Sequence, residues 1–336
     1  MNCSDRSDTL ILDNDQLRVA VMPQVGGTIT SIHHHGLNAS VLGSTPWDPI
    51  SFPIGSCAAP NEEEWLTRYG GGWPLLFPNG GDACEFDGVF HGFHGEASIT
   101  PWGFDCGPTF IRLKRKFFTV PVEMERELVI SEDVLTITEK LRMMGGEPIR
   151  VMWAHHPTFG ADLLRGDFEI GTGARNVIVD DMYDLATNPL KVGSKGSWPT
   201  VPGKAGEYNL SRPTGAVAAM AYLHNFASPW VSICRLDGTV GAVLSWDSRV
   251  FPYAWLWYEL AGTSEPPWYG RARLLGVEPS TSWPGTGLSD IDQRGGRLLR
   301  LSPGDEVSTT LRLQVFEPNG AVRDVDENGR AVTKLM

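Results

Sequence analysis

The stretch Thr310-Leu311-Arg312-Leu313-Gln314-Val315 decides the fold class, because its polar and apolar residues alternate without a break. A period of two places successive side chains on opposite faces of a β-strand, with one face buried and the other solvated. Residues 111–114 and 135–138 alternate in the same way, and turn sequences such as Gly145-Gly146-Glu147-Pro148 separate such runs. We therefore predict an all-β protein, built as one large antiparallel β-sandwich.

Length and composition agree with many short strands. The chain has 336 residues, among them 38 Gly, 24 Pro and 12 Trp. Because large β-sandwiches run as one unit, and neither a repeat nor a long polar linker is visible, we predict a single domain over residues 1–336. The best helix signal is Asn61-Glu62-Glu63-Glu64-Trp65-Leu66, where Asn61 can cap a short helix. Residues 42–95 and 180–215 are rich in Gly, Pro and aromatic side chains, and we interpret them as long loops.

Charge and cysteine usage exclude several classes of function. The net charge is −12, which argues against nucleic acid as a partner. The five cysteines are scattered and form no CxxC pair, so we expect neither a disulfide framework nor a structural zinc site. The first residues lack the apolar segment of a signal peptide, and no stretch approaches 18 apolar residues. We expect a cytoplasmic protein without a membrane partner, as a monomer or homodimer.

Four segments combine histidines, carboxylates or aromatic residues with strand-ending prolines and glycines. They are 73–81 (WPLLFPNGG), 91–96 (HGFHGE), 153–160 (WAHHPTFG) and 276–280 (GVEPS).

His156 and Glu278 are the candidate acid and base. Each follows an apolar strand and precedes a proline that would stop ladder pairing. Histidine has a pKa near neutrality, which suits proton transfer, and a carboxylate in an apolar run gains basicity through desolvation. Structural alternatives remain open: His156 could bond a backbone carbonyl, and Glu278 could pair with Arg271 or Arg273.

His91 and His94, with Glu96 nearby, have some likeness to metal ligands. Gly92 and Gly95 make the segment a loop, and its spacing matches no common metal motif, so we predict no metal. Tryptophans such as Trp257 lie in or beside the four segments, and indole rings stack on the C–H faces of sugars.

Taken in order, the segments resemble the aldose 1-epimerase (galactose mutarotase) superfamily over roughly residues 10–317. Six motifs carry the resemblance: residues 18–32 with Gly26-Gly27, 74–78 (PLLFP), 91–93 (HGF), 156–159 (HPTF), 276–279 (GVEP) and 301–305 (LSPGD).

The resemblance implies a β-supersandwich and a cofactor-free enzyme that interconverts the α and β anomers of a monosaccharide. It implies Glu278 as general base, His156 as general acid and His91 as a hydrogen-bond partner of the sugar. We add His94, Asn79, Trp257 and Arg273 as substrate-binding candidates. An ionised Glu278 beside a protonated His156 would give a bell-shaped pH dependence of kcat/KM.

The sequence departs from the family pattern at the substrate side of the site. Many members carry an Arg where this chain has Asn79-Gly80-Gly81-Asp82, and Ala-Arg where it has His94-Gly95. Asp247 and Glu259 are both candidates for the carboxylate that some members use to bind sugar hydroxyls. Alternatives are a non-catalytic carbohydrate-binding protein, a metal-dependent isomerase, and a phosphosugar 1-epimerase that would use cations drawn from Arg68, Arg271 and Arg273.

Overall fold

The computed structural model describes residues 9–49 and 57–334. Cys3 and part of the predicted 42–95 loop therefore lie outside the described residues.

The elements are almost all strands, listed here in chain order: β1 (Leu10–Asp13), β2 (Leu17–Met22), β3 (Thr28–His34), β4 (Ala39–Ser40), α1 (Glu62–Leu66), β5 (Leu75–Leu76), β6 (Cys84–Phe86), β7 (Val89–His91), β8 (Gly103–Cys106), β9 (Phe110–Lys116), β10 (Val122–Ser131), β11 (Val134–Met143), β12 (Ile149–Val151), β13 (Ala154–His155), β14 (Thr158–Phe159), a 3₁₀ turn (Ala161–Leu164), β15 (Phe168–Val179), β16 (Lys195–Ser197), β17 (Thr200–Gly203), β18 (Gly206–Asn209), β19 (Val217–Arg235), β20 (Gly241–Ser245), β21 (Tyr253–Leu260), β22 (Arg273–Ser280), α2 (Leu288–Gln293), β23 (Leu299–Leu301), β24 (Glu306–Phe316), β25 (Ala321–Val325) and β26 (Ala331–Lys334).

A 16-stranded antiparallel sheet dominates the molecule, and a four-stranded sheet of β1 to β4 accompanies it. The alternating sequences form its centre: Ile137 of β11 lies opposite Leu311 of β24 and opposite Leu128 of β10. These three side chains share one buried cluster with Leu12 and Val19 of the four-stranded sheet. The predicted all-β antiparallel sandwich is confirmed.

The long strand β19 connects the centre of the large sheet to the strands that carry the candidate acid and base. Residues 217–224 of β19 pair with β21, and residues 230–234 pair with β20. Strand β21 pairs with β22, which in turn pairs with the short strands β13 and β14. The branch β21–β22–β13 therefore places the segments around Glu278 and His156 next to each other.

Two local predictions have different outcomes. The Asn61 side chain accepts a hydrogen bond of 2.8 Å from the Glu64 backbone N–H, and so caps α1 as predicted. The loop prediction for 180–215 is wrong in part, because β16, β17 and β18 form a small meander within it. Short edge strands with Gly and Pro lack the long alternating pattern that identifies a strand.

The cysteine prediction needs one correction. Cys106, at the end of β8, is disulfide-bonded, whereas Cys57, Cys84 and Cys234 are free. One disulfide-bonded cysteine outside any CxxC pair leaves no spacing signal in the sequence. Among residues 9–49 and 57–334, no helix is long and apolar enough to cross a membrane.

Candidate active site

A cavity of about 250 Å³ opens at the branch β21–β22–β13. This lies slightly below the roughly 300–1,000 Å³ of typical ligand pockets, a size that suits one small ligand. Its lining is mainly aromatic, with acidic and imidazole groups between the rings. The lining residues are Glu62, Trp65, Leu66, Tyr69, Asp82, Phe93, His94, His156, Asp180, Met182, Tyr183, Met220, Tyr222, Trp255, Trp257, Trp268, Glu278, Gly285 and Thr286.

His156 occupies the break between β13 and β14. Pro157 has no N–H to donate, so the ladder is interrupted there. The His156 backbone N–H donates instead to the Pro74 carbonyl at 3.0 Å. The side chain is 6% exposed and faces the cavity.

Glu278 reaches the same cavity from the neighbouring strand. It lies in β22 opposite Trp255 of β21 and is 2% exposed. Its Oε1 is 3.6 Å from Nε2 of His156. The structure therefore brings the two predicted catalytic residues together.

Burial sets the proton distribution of this pair. It raises the pKa of the Glu278 carboxyl well above its usual range, because the charged form loses its hydration. It lowers the pKa of His156 to about 4 for the same reason. Both shifts favour the neutral forms, and so oppose the ionised Glu278 beside a protonated His156 that the sequence suggested.

A hydrogen-bond chain lies behind His156. Its Nδ1 is 3.0 Å from the Thr158 hydroxyl oxygen, which is 2.5 Å from the Tyr69 hydroxyl. Thr158 is fully buried, whereas Tyr69 also lines the cavity. The imidazole is therefore fixed at Nδ1, and Nε2 is directed at Glu278.

His94 enters the cavity from the glycine-rich segment 91–96. Its φ is +57°, and Gly95 follows at +73° with the Phe77 carbonyl 2.5 Å from the place a Cβ would occupy. Only glycine fits this close approach. Nδ1 of His94 lies 2.9 Å from the Gly80 carbonyl, so Nδ1 donates and Nε2 is the acceptor nitrogen.

Asp180 is a cavity residue that sequence reasoning missed. It follows the last residue of β15, is 3% exposed, and accepts hydrogen bonds from the Tyr222 hydroxyl and from the backbone N–H groups of Met182 and Tyr183. Of the two carboxylates considered earlier, Asp247 is bound to Arg249, and neither it nor Glu259 lines the cavity. The signal that could have identified Asp180 is an acidic residue directly after an apolar strand end.

Among the predicted sugar-binding residues, His94 and Trp257 line the cavity, and three others do not. Asn79 gives its amide N–H groups to the carbonyls of Gly81, Asp82 and Gly92 and accepts from the Leu288 N–H, so its role is to join loops. Arg273 is exposed at the start of β22 and contacts the Leu164 carbonyl.

His91 is the third predicted sugar-binding residue that does not line the cavity. It pairs with Cys84 in the hairpin of β6 and β7 and is 4% exposed. His94, three residues later, has a φ of +57° and lines the cavity instead. The sequence pattern located the segment but not which of its histidines faces inward.

The cavity wall is poor in cations. None of the described lining residues is Lys or Arg, and the candidates Arg68, Arg271 and Arg273 are not among them. Glu62 and Asp82 lie at the wall, where burial first and neighbouring carboxylates second raise the pKa of both. The local field therefore disfavours an anionic ligand.

A buried ionic cluster supports β13 from the side of the core. Arg126 Nε lies 2.6 Å from Glu139 Oε1, and both side chains are 0% exposed. Glu139 Oε2 is 3.1 Å from Nε2 of His155, whose Nδ1 accepts from the Trp73 indole at 3.1 Å. Neutral His155 therefore carries its hydrogen on Nε2, and the cluster fixes the residue that precedes His156.

In the part of the chain that the structure describes, no three His, Cys, Asp or Glu side chains are arranged to hold a metal ion. His91 and His94, the pair with the nearest likeness to ligands, lie outside and inside the cavity respectively.

Solved structures resemble the chain over most of its length, although no protein-family model and no curated protein matches its sequence. A galactose mutarotase-like protein from Lactobacillus casei has a TM-score of 0.63 at 14% identity, over 92% of this chain and 100% of that one. A galactose mutarotase related enzyme from Lactobacillus acidophilus has a TM-score of 0.60 at 16% identity, over 92% and 97%. An aldose epimerase homologue from C. elegans has a TM-score of 0.61 at 12% identity, over 94% and 100%. The resemblance drawn from the sequence motifs is thus confirmed at the level of the fold, which is galactose mutarotase-like.

Proposed function

We propose that the protein is an aldose 1-epimerase that interconverts the α and β anomers of a neutral monosaccharide without a cofactor. The observation that carries this proposal is the buried pair of His156 and Glu278, 3.6 Å apart at the wall of a sugar-sized, aromatic cavity. Anomer exchange requires one base and one acid acting together, which is the chemistry that such a pair supplies.

The proposed reaction uses only the one proton that Glu278 and His156 carry between them. On sugar binding, the hydroxyl groups solvate the Glu278 carboxylate, and the shared proton moves to Nε2 of His156. Glu278 then takes the proton from O1 while Nε2 donates its proton to O5; the C1–O5 bond breaks and a C1=O1 double bond forms. Rotation about C1–C2 and the reverse proton transfers on the other face give the second anomer, and the pair ends with the same single proton.

The remaining cavity residues suit the binding of a neutral sugar. Trp257 offers an aromatic face, Nε2 of His94 is an acceptor for a hydroxyl group, and Asp180 supplies a carboxylate. A phosphorylated sugar is disfavoured, because a phosphate site needs convergent cations and the described lining has none.

The test is to follow the equilibration of freshly dissolved α-anomers by polarimetry and by NMR exchange. The panel comprises glucose, galactose, other aldoses and glucose 6-phosphate, with wild type, Glu278→Gln and His156→Ala. Each substitution should cost about 10²–10⁴ in kcat. Glu306→Gln and His35→Gln, both exposed, serve as controls for the change of residue type.

A wild-type protein that leaves every spontaneous rate unchanged would overturn the proposal for this panel. Saturable sugar binding under those conditions, unaffected by Glu278→Gln, would favour the non-catalytic carbohydrate-binding alternative instead.

A further inference from the structure

The hydrogen-bond chain from His156 through Thr158 to Tyr69 has a direction that can be derived from its acceptors. Thr158 Oγ1 is 3.0 Å from Nδ1 of His156 and 2.5 Å from the Tyr69 hydroxyl. Among the described residues, one further acceptor lies near the Thr158 hydroxyl, the His156 carbonyl at 3.4 Å. Thr158 has a single hydrogen to give, so its choice of acceptor determines which nitrogen of His156 is protonated.

Two features favour a hydrogen on Nδ1. The imidazole lies beside two acceptors, the Thr158 hydroxyl and its own backbone carbonyl, which stabilise a ring N–H. Thr158 can then donate to the nearer acceptor, the Tyr69 oxygen, and Tyr69 directs its own hydrogen into the cavity that it lines.

The opposite direction fits the surroundings poorly. If Tyr69 donated to Thr158 and Thr158 donated to Nδ1, the hydrogen of neutral His156 would be on Nε2. It would then face Oε1 of Glu278 across 3.6 Å, which is too far for a hydrogen bond. The lone pair needed for proton exchange would be on Nδ1, turned away from Glu278.

We propose that Thr158 and Tyr69 are positioning residues that hold neutral His156 as its Nδ1–H tautomer and offer the Tyr69 O–H to a sugar oxygen. The role in turnover rests on the proposed function, whereas the tautomer itself does not. When imidazolium gives up its Nε2 proton, the bond from Nδ1–H to Thr158 persists, so the chain needs no rearrangement during the step.

The tautomer is measured directly by two-bond nitrogen–proton NMR on protein labelled with nitrogen-15 histidine, near neutral pH, with His156→Ala to assign the signals. Wild type and Thr158→Ser should show a protonated Nδ1 and an unprotonated Nε2. Thr158→Val, which matches threonine in shape, should increase the Nε2–H tautomer and lower kcat about tenfold, the scale of one lost hydrogen bond. Tyr69→Phe should keep the Nδ1–H tautomer and raise KM.

An Nε2–H tautomer in wild type would overturn the inference, as would equal tautomers in Thr158→Val and Thr158→Ser. Equal thermal unfolding midpoints for these two variants would show that a difference between them is local. If wild type turns over no sugar, the NMR result still decides the tautomer, so failure of the epimerase proposal is recognised separately.

Discussion

The buried acid–base pair makes a specific prediction for pH dependence. Burial lowers the pKa of His156 from 6.5 to about 4, which corresponds to about 3 kcal/mol against the charged form. At pH 6, about 1% of such a histidine is protonated, against about three quarters of an ordinary histidine. The proposed mechanism needs one proton on the pair, so a second proton should inactivate it only near pH 4.

We therefore expect kcat/KM to stay flat just above about pH 5 and to fall as the pH rises through the raised pKa of Glu278, where the single proton is lost. The bell-shaped pH profile of kcat/KM expected from the sequence is retained, but its acid limb lies at a lower pH. The assay is NMR exchange between anomers, with the buffer-catalysed rate subtracted at each pH. In Glu278→Gln the alkaline limb should disappear from the residual activity.

An acid limb centred near pH 6.5 in wild type would refute this reasoning, because it would mean that His156 is not desolvated. A circular dichroism signal that is constant from pH 5 to 7 would exclude unfolding as the cause. The exposed control His35→Gln should reproduce the wild-type profile.

Three further predictions concern stability and specificity. Glu139→Gln should lower the free energy of unfolding by about 3–5 kcal/mol in urea denaturation, because Arg126 would keep a buried charge without a counter-ion. Glu306→Gln, which removes one member of an exposed ion pair, should lower it by less than about 1 kcal/mol. Equal losses in the two variants would contradict the argument. Asp180→Asn should raise KM more than it lowers kcat if the carboxylate binds a sugar hydroxyl, and an unchanged KM would remove it from the binding site. Glucose 6-phosphate should be a poorer substrate than glucose, since the lining carboxylates repel a phosphate; a preference for the phosphosugar in rate measurements at constant ionic strength would reverse the assignment of the substrate class.

The sequence was sufficient for the fold and for the pair His156–Glu278, because both depend on local patterns. Alternation over ten residues identifies β10, β11 and β24, and a proline after an apolar strand marks where a polar side chain leaves the ladder. Chain order then allowed the segments to be matched to a family.

What remained hidden depends on contacts between distant residues. The choice of His94 over His91 follows from the approach of Gly95 to Phe77, and the structural role of Asn79 follows from its contact with Leu288. Likewise, the raised pKa of Glu278 follows from burial against strands that come from elsewhere in the chain. None of these is recorded in the spacing of neighbouring residues.

The pairing of strand β19 has a consequence for how the molecule unfolds locally. Its 19 residues pair with β15 on one side, and with β21 and then β20 on the other. The cavity-bearing branch and the central sheet therefore share one continuous backbone. We expect the amide hydrogens of β21 and β22 to exchange with solvent as slowly as those of β10 and β11, in one cooperative opening event. The cavity would then be a rigid part of the folding unit, and access to it would depend on side chains and short loops at its mouth.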